Sequence, residues 1–239
     1  MPAREKIILA LDVSDGKYAL DIVDRFTDYV DIYKVGLELF VSSGPAIVED
    51  IQKKGKRIFL DLKFHDISNT VVKAATAATR LGVFMFNVHA SGGFDMMRRS
   101  RDAVVDLCLR ENLPRPKILG VTVLTGISPD ALKNELNVQH SVKAHVKHLA
   151  KLAHQAGLDG VVASGHEAVA VREHFGKDFI VVTPGIRASW SPPDDQRRTV
   201  TPREAVRAGA DYIVLGRTVL NQPDPSKALE LITTEILTA

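Results

Sequence analysis

The chain of 239 residues has a single cysteine, Cys108, and therefore cannot form an internal disulfide. A reducing compartment is the economical expectation. Cys108 also follows Val104 and Leu107 at helical spacing, which predicts a small buried hydrophobe rather than a nucleophile. Long apolar runs are missing as well. No stretch approaches the ~20 residues of a membrane span, and the first run, Ile7 to Leu11, is cut by Asp12, too short for a signal-peptide core of ~7–15 residues. A cytoplasmic protein is expected. An excess of one charge is lacking too: 31 Lys plus Arg stand against 29 Asp plus Glu, a net of +2, which argues against a nucleic-acid or membrane-surface binder. Low-complexity tracts and short-period repeats are absent.

What is present is one alternation. Short β-branched runs recur at Ile7–Asp12, Asp31–Val35, Arg57–Leu62, Phe84–Val88, Lys117–Val123, Gly160–Ala163, Phe179–Thr183 and Tyr212–Leu215. Helical periodicity fills the gaps, clearest in Val142, Val146, Leu149, Ala153 and Ala156. Eight strand–helix units in this length predict a closed parallel α/β barrel, a (β/α)8 TIM barrel spanning residues 1–239 as one domain. Helix entries are expected at Ser14-Asp15, Gly44-Pro45, Ser91 and Thr201-Pro202. Residues Thr125–Gln139 and Ile186–Thr199 carry the turn formers of extended loops after strands, and such loops build the functional face of a barrel.

Charge stands where strands should be apolar. In Arg57-Ile58-Phe59-Leu60-Asp61-Leu62-Lys63, Asp61 and Lys63 are two apart and project to one side. Lys34 ends the second strand and Asp12 the first, so these groups should meet at the barrel mouth. Such pairs can simply fill a core layer, but clustered charge in a cleft more often marks function. Asp66 lies past its strand, where it either caps the following helix or serves a neighbouring subunit. Two further strands end in Gly216-Arg217 and Pro184-Gly185-Ile186-Arg187. Backbone N–H groups and Arg at the seventh and eighth strand ends are a recurring phosphate site of barrels, which predicts a phosphorylated small molecule as ligand.

The stretch Asp61-Leu62-Lys63-Phe64-His65-Asp66 resembles the DxKxxD signature of the orotidine 5′-monophosphate decarboxylase family. Similar blocks of that family match Tyr33-Lys34-Val35-Gly36, Asn87-Val88-His89-Ala90, Val182-Thr183-Pro184-Gly185-Ile186-Arg187 and Gly216-Arg217. The likeness runs from Asp12 to Arg217 and to the compact form without a fused transferase. Ser68, where the family frequently has Pro, and Ala188–Asp195 depart from the pattern. The resemblance implies that Lys34, Asp61, Lys63 and Asp66 form an alternating charged array. It also implies that Asp66 and Thr70 come from the other subunit of a homodimer. By the same likeness Asp12 contacts the nucleoside and Lys34 the ribose. Thr125 and Pro184 contact the substrate, Ser164 lies beside the pyrimidine, and Arg187, Gln196, Gly216 and Arg217 bind the phosphate.

The implied reaction converts orotidine 5′-monophosphate to uridine 5′-monophosphate and CO2, the last step of de novo pyrimidine synthesis. Loss of CO2 leaves a carbanion in the ring plane, which Lys63 can stabilise and then protonate. Repulsion between two carboxylates ~4 Å apart at an effective dielectric near 20 amounts to ~4 kcal/mol, a contribution but not the whole effect. Closure of the 186–199 loop on the phosphate would exclude water. This chemistry calls for neither metal nor organic cofactor. Two rivals differ in kind: a related sugar-phosphate barrel enzyme that stabilises an enediolate on Mg2+, and a non-catalytic nucleotide-binding barrel. Among the histidines, His145 and His148 read as solvated. His89 faces the mouth as a hydrogen-bonding residue behind the site, and His65 has no readable role. Trp190 is either a lid aromatic or simply exposed.

Overall fold

A computed structural model describes residues 3–190 and 199–239. The eight apolar runs form β1 (Ile7–Ala10), β2 (Ile32–Gly36), β3 (Arg57–Phe64), β4 (Met85–His89), β5 (Lys117–Val121), β6 (Gly160–Val162), β7 (Ile180–Thr183) and β8 (Tyr212–Leu215). Each strand pairs in parallel with the next, and β1 closes on β8 through Ile8 opposite Val214. The expected barrel is the observed one.

Burial on both faces explains why the strands read as continuous apolar runs. Ile8, Ile32, Phe59, Met85, Leu119 and Val182 pack together inside the barrel. Their alternating neighbours, such as Leu9, Tyr33, Ile58, Leu60 and Phe86, join the helices in a second core outside it. The helix Val142–Gln155 buries Val146, Leu149 and Ala153 as its spacing predicts. Cys108 is buried, and burial pushes its thiol pKa up, in keeping with a packing role.

Most helix entries fall where expected. Asp15 caps the helix Gly16–Arg25, accepting the N–H groups of Lys17 at 2.8 Å and Tyr18 at 3.3 Å. Thr201 and Glu204 close a reciprocal capping box at the helix Pro202–Arg207. Pro45 directly precedes the helix Ala46–Lys53 without a side-chain cap. Ser91 is a correction: it lies inside a 3-10 turn, Ala90–Gly92, and the helix begins at Gly93, whose φ of 89° turns the chain first. A helix at Leu37–Ser43 went unforeseen because it follows β2 without a gap and leaves Leu37 and Val41 exposed, blurring its periodicity.

The loop after β5 is partly ordered as a short helix, Pro129–Asn134, with Ser128 accepting from Ala131 N–H at 3.0 Å. The loop after β7 is pinned at its base, where Arg187 N–H bonds the Val200 carbonyl at 2.9 Å and Val200 N–H bonds that of Gly185 at 3.1 Å. Pro192, Pro193, Asp194, Asp195 and Gln196 lie outside the described residues. Among the described residues no helix is long and apolar enough to cross a membrane.

Candidate active site

A cavity of about 400 Å³ opens at the C-terminal ends of the strands, the face where barrel loops assemble functional groups. Its lining includes Asp12, Lys34, Asp61, Lys63, Thr125, Ser164, Pro184, Gly216 and Arg217. These residues come from seven strand ends, so only closure of the barrel brings them together.

The charges form a line. Lys34 Nζ lies 2.7 Å from Asp12 Oδ1 and 3.4 Å from Asp61 Oδ2, and Lys63 Nζ lies 2.8 Å from Asp61 Oδ1. Exposure rises outward: the side chains of Lys34 and Asp61 are 10% and 11% exposed, that of Lys63 29%. Removing one member of such a buried pair leaves the other uncompensated, which is more damaging than losing the whole pair. Desolvation opposes the charge on Lys34, but the carboxylates of Asp61 and Asp12 outweigh it and raise its pKa above the ordinary lysine value.

Lys63 takes its aim from an irregularity in β3. Leu60 pairs with Phe86 and Phe64 with Val88, so β3 carries two extra residues there. Lys63 adopts φ 50°, a left-handed conformation that costs a non-glycine residue about 1–3 kcal/mol and persists only where its surroundings impose it. Asn87, fully buried on β4, imposes it: its Oδ1 accepts the Lys63 N–H at 2.8 Å and its Nδ2 donates to Asp61 Oδ1 at 2.7 Å. One amide thus ties the bulge to the carboxylate. The sequence signal for Asn87 is a polar residue flanked by the apolar Phe86 and Val88.

Gly36 contributes by lacking a side chain. A Cβ there would stand 2.9 Å from Lys34 Nζ and 3.2 Å from Asp12 Oδ1, so any larger residue crowds the ion pair. The two anion-facing loops are also joined, because Thr218 Oγ1 donates to the Ile186 carbonyl at 2.8 Å.

The structure does not bring every expected residue to this cavity. Asp66 is exposed and its Oδ1 accepts the Ile67 N–H at 2.6 Å. It does not cap the helix Ser68–Arg80, whose cap position is Ile67. Thr70 is exposed on that helix, and neither residue lines the cavity. Arg187 is half-buried beside it without lining it, and Gln196 lies outside the described residues. His89 ends β4 against His65, with ring centroids 5.1 Å apart. Burial, then the neighbouring His65 and Lys63, pull its pKa below the ordinary histidine value.

A family model described as orotidine 5′-phosphate decarboxylase / HUMPS family matches residues 5–232. The chain belongs to this orotidine 5′-phosphate decarboxylase / HUMPS family. It is 48% identical over 236 residues to the orotidine 5′-phosphate decarboxylase of Moorella thermoacetica, covering 99% of this chain and 94% of that one. The enzyme of the same name from Geobacter metallireducens is 47% identical over 98% and 97% of the two chains. A crystal structure of orotidine 5′-phosphate decarboxylase from Lactobacillus acidophilus superposes with a TM-score of 0.84 at 36% identity, covering 97% of this chain and 99% of that one. The family's breadth leaves the site to discriminate among its members. Here two ammonium groups, those of Lys34 and Lys63, stand against the carboxylates of Asp12 and Asp61.

Proposed function

We propose that this chain decarboxylates orotidine 5′-monophosphate to uridine 5′-monophosphate and CO2, closing de novo UMP synthesis, with residues 1–239 acting as one cytoplasmic domain. The carboxy-lyase activity is the one for which the relatives above are named. The observation that carries the mechanism is the Lys63 ammonium, held by Asp61 at the cavity and aimed by a left-handed backbone.

In this reading the C6–carboxylate bond breaks, its electron pair stays on C6, and CO2 departs. The Lys63 ammonium stabilises that pair at short range in a site shielded from bulk water, then donates its proton to C6. The resulting amine regains a proton from solvent. Asp61 keeps Lys63 charged and oriented, and Lys34 and Asp12 extend the array towards the ribose. Gly216 and Arg217 at the cavity, with Arg187 and Gln196 from the loop after β7, hold the phosphate, so that remote binding energy contributes to closing the site. Thr125, Ser164 and Pro184 flank the base. No step draws on a metal or an organic cofactor.

Asp66 and Thr70 act, in this reading, in the site of a second copy within a homodimer. Support comes from their exposure beside Ile67, itself 73% exposed, on the surface that flanks the cavity rather than in it. Loss of orotidylate absorbance on adding the protein tests the activity; uridylate binding without any such loss would favour the non-catalytic alternative.

A further inference from the structure

The chain uses one sequence pattern at two helix starts with different results. Ser164-Gly165-His166-Glu167 and Thr201-Pro202-Arg203-Glu204 each place a hydroxyl residue three before Glu, the spacing of a reciprocal cap. At Thr201 the cap closes: Oγ1 accepts the Glu204 N–H at 3.2 Å, and Glu204 Oε2 accepts the Thr201 N–H at 2.8 Å. At Ser164 it does not. The Ser164 side chain caps no backbone N–H; its hydroxyl instead donates to Glu167 Oε2. The Glu167 N–H turns to the Ser164 carbonyl at 3.1 Å. Both residues are buried, Ser164 at 1% exposure and Glu167 at 6%. Ser164 lines the cavity and Glu167, its hydrogen-bond partner, does not.

A serine hydroxyl has one proton and two lone pairs, whereas a carboxylate only accepts. With its proton committed to Glu167, the Ser164 oxygen offers the cavity lone pairs alone. Val121, Val123 and Val162 supply apolar lining on the neighbouring strand ends, the surface suited to a flat ring.

We infer that Glu167 is a positioning residue that fixes the polarity of the Ser164 hydroxyl, so that the cavity selects a ring edge bearing an N–H donor over one bearing a bare ring nitrogen. Uracil and orotate have the first kind of edge and cytosine the second. An acceptor facing an acceptor leaves two buried groups unsatisfied, which corresponds to about 10- to 100-fold in affinity. This inference rests on the pyrimidine-nucleotide reading above.

The test is the inhibition constant of UMP and of CMP against orotidylate decarboxylation, measured for wild type, Glu167→Met and Ser164→Ala. Wild type should prefer UMP by about 10- to 100-fold. In Glu167→Met the freed hydroxyl can donate to the cavity, so the preference should narrow about tenfold or more, mainly through tighter CMP binding. In Ser164→Ala it should narrow through weaker UMP binding. A Glu167 that only supports the fold would weaken both ligands together and leave the ratio unchanged, which overturns the inference. If Glu167→Met does not fold, an unchanged ratio in Ser164→Ala overturns it equally. Failure of the wild type to consume orotidylate would sink the functional reading instead.

Discussion

The Lys63 ammonium stands 2.8 Å from Asp61 Oδ1 although the Lys63 backbone is left-handed, at φ 50°. A strained residue beside its counter-ion at a cavity is where function is expected to hold a conformation that folding alone disfavours. The bond from Lys63 N–H to Asn87 Oδ1 sustains that conformation, so Asn87→Ala should lower kcat by about 10- to 100-fold while KM changes little. Stability should fall by about 1–3 kcal/mol, because Asp61 and the Lys63 N–H lose a buried partner. Steady-state kinetics with a denaturant titration separates the two effects; an unchanged kcat would contradict the positioning role.

Gly36→Ala places a methyl group against the Lys34–Asp12 pair. The expected result is a loss of about tenfold or more in kcat/KM with circular dichroism unchanged. A fully active alanine variant would mean that the pair tolerates displacement.

The shared-site reading predicts complementation. Lys63→Ala and Asp66→Ala homodimers should each be inactive. Mixed, they should recover up to about a quarter of wild-type activity, because a heterodimer can assemble one intact site and one doubly damaged one. No recovery with heterodimers verified by mass would rule out donation of Asp66 across the interface.

Protonation of His89 should weaken the fold. Its pKa is lowered in the folded protein by burial and by His65 and Lys63. Its stability contribution is therefore complete above the ordinary histidine pKa of about 6.5 and is lost as pH falls through that value and then the folded one. Lys34 has the opposite sign: its raised pKa gives stability that is complete below the ordinary lysine value and lost as pH rises through the folded one. Melting temperatures between about pH 7.5 and 5.5 should drop more steeply for wild type than for His89→Gln; parallel slopes would contradict the assignment.

The barrel was legible because strands buried on both faces leave continuous apolar runs and helices leave a 3.6 period. Asp12, Lys34, Asp61 and Lys63 were legible because charge at a strand end has few structural uses. What escaped lies in register and in polar pairing. The extra residues in β3 have no glycine or proline to announce them, so the alternation of Asp61 and Lys63 predicts their side but not the left-handed turn. Asn87 hides among apolar neighbours. Ser164 and Glu167 match a helix cap by spacing, yet in the folded chain they are buried and bond side chain to side chain. Asp66 lies outside its own strand, and the cap position of the following helix falls on Ile67 instead.

The central claim is that the Lys63 ammonium, with no metal ion, supplies both charge and proton to C6. Its most direct test follows orotidylate absorbance in excess chelator for wild type and Lys63→Ala, with UMP binding measured in parallel. The account predicts undiminished turnover by wild type, none by Lys63→Ala, and measurable UMP binding by both. Abolition of wild-type turnover by chelator, or wild-type turnover in Lys63→Ala, would contradict it.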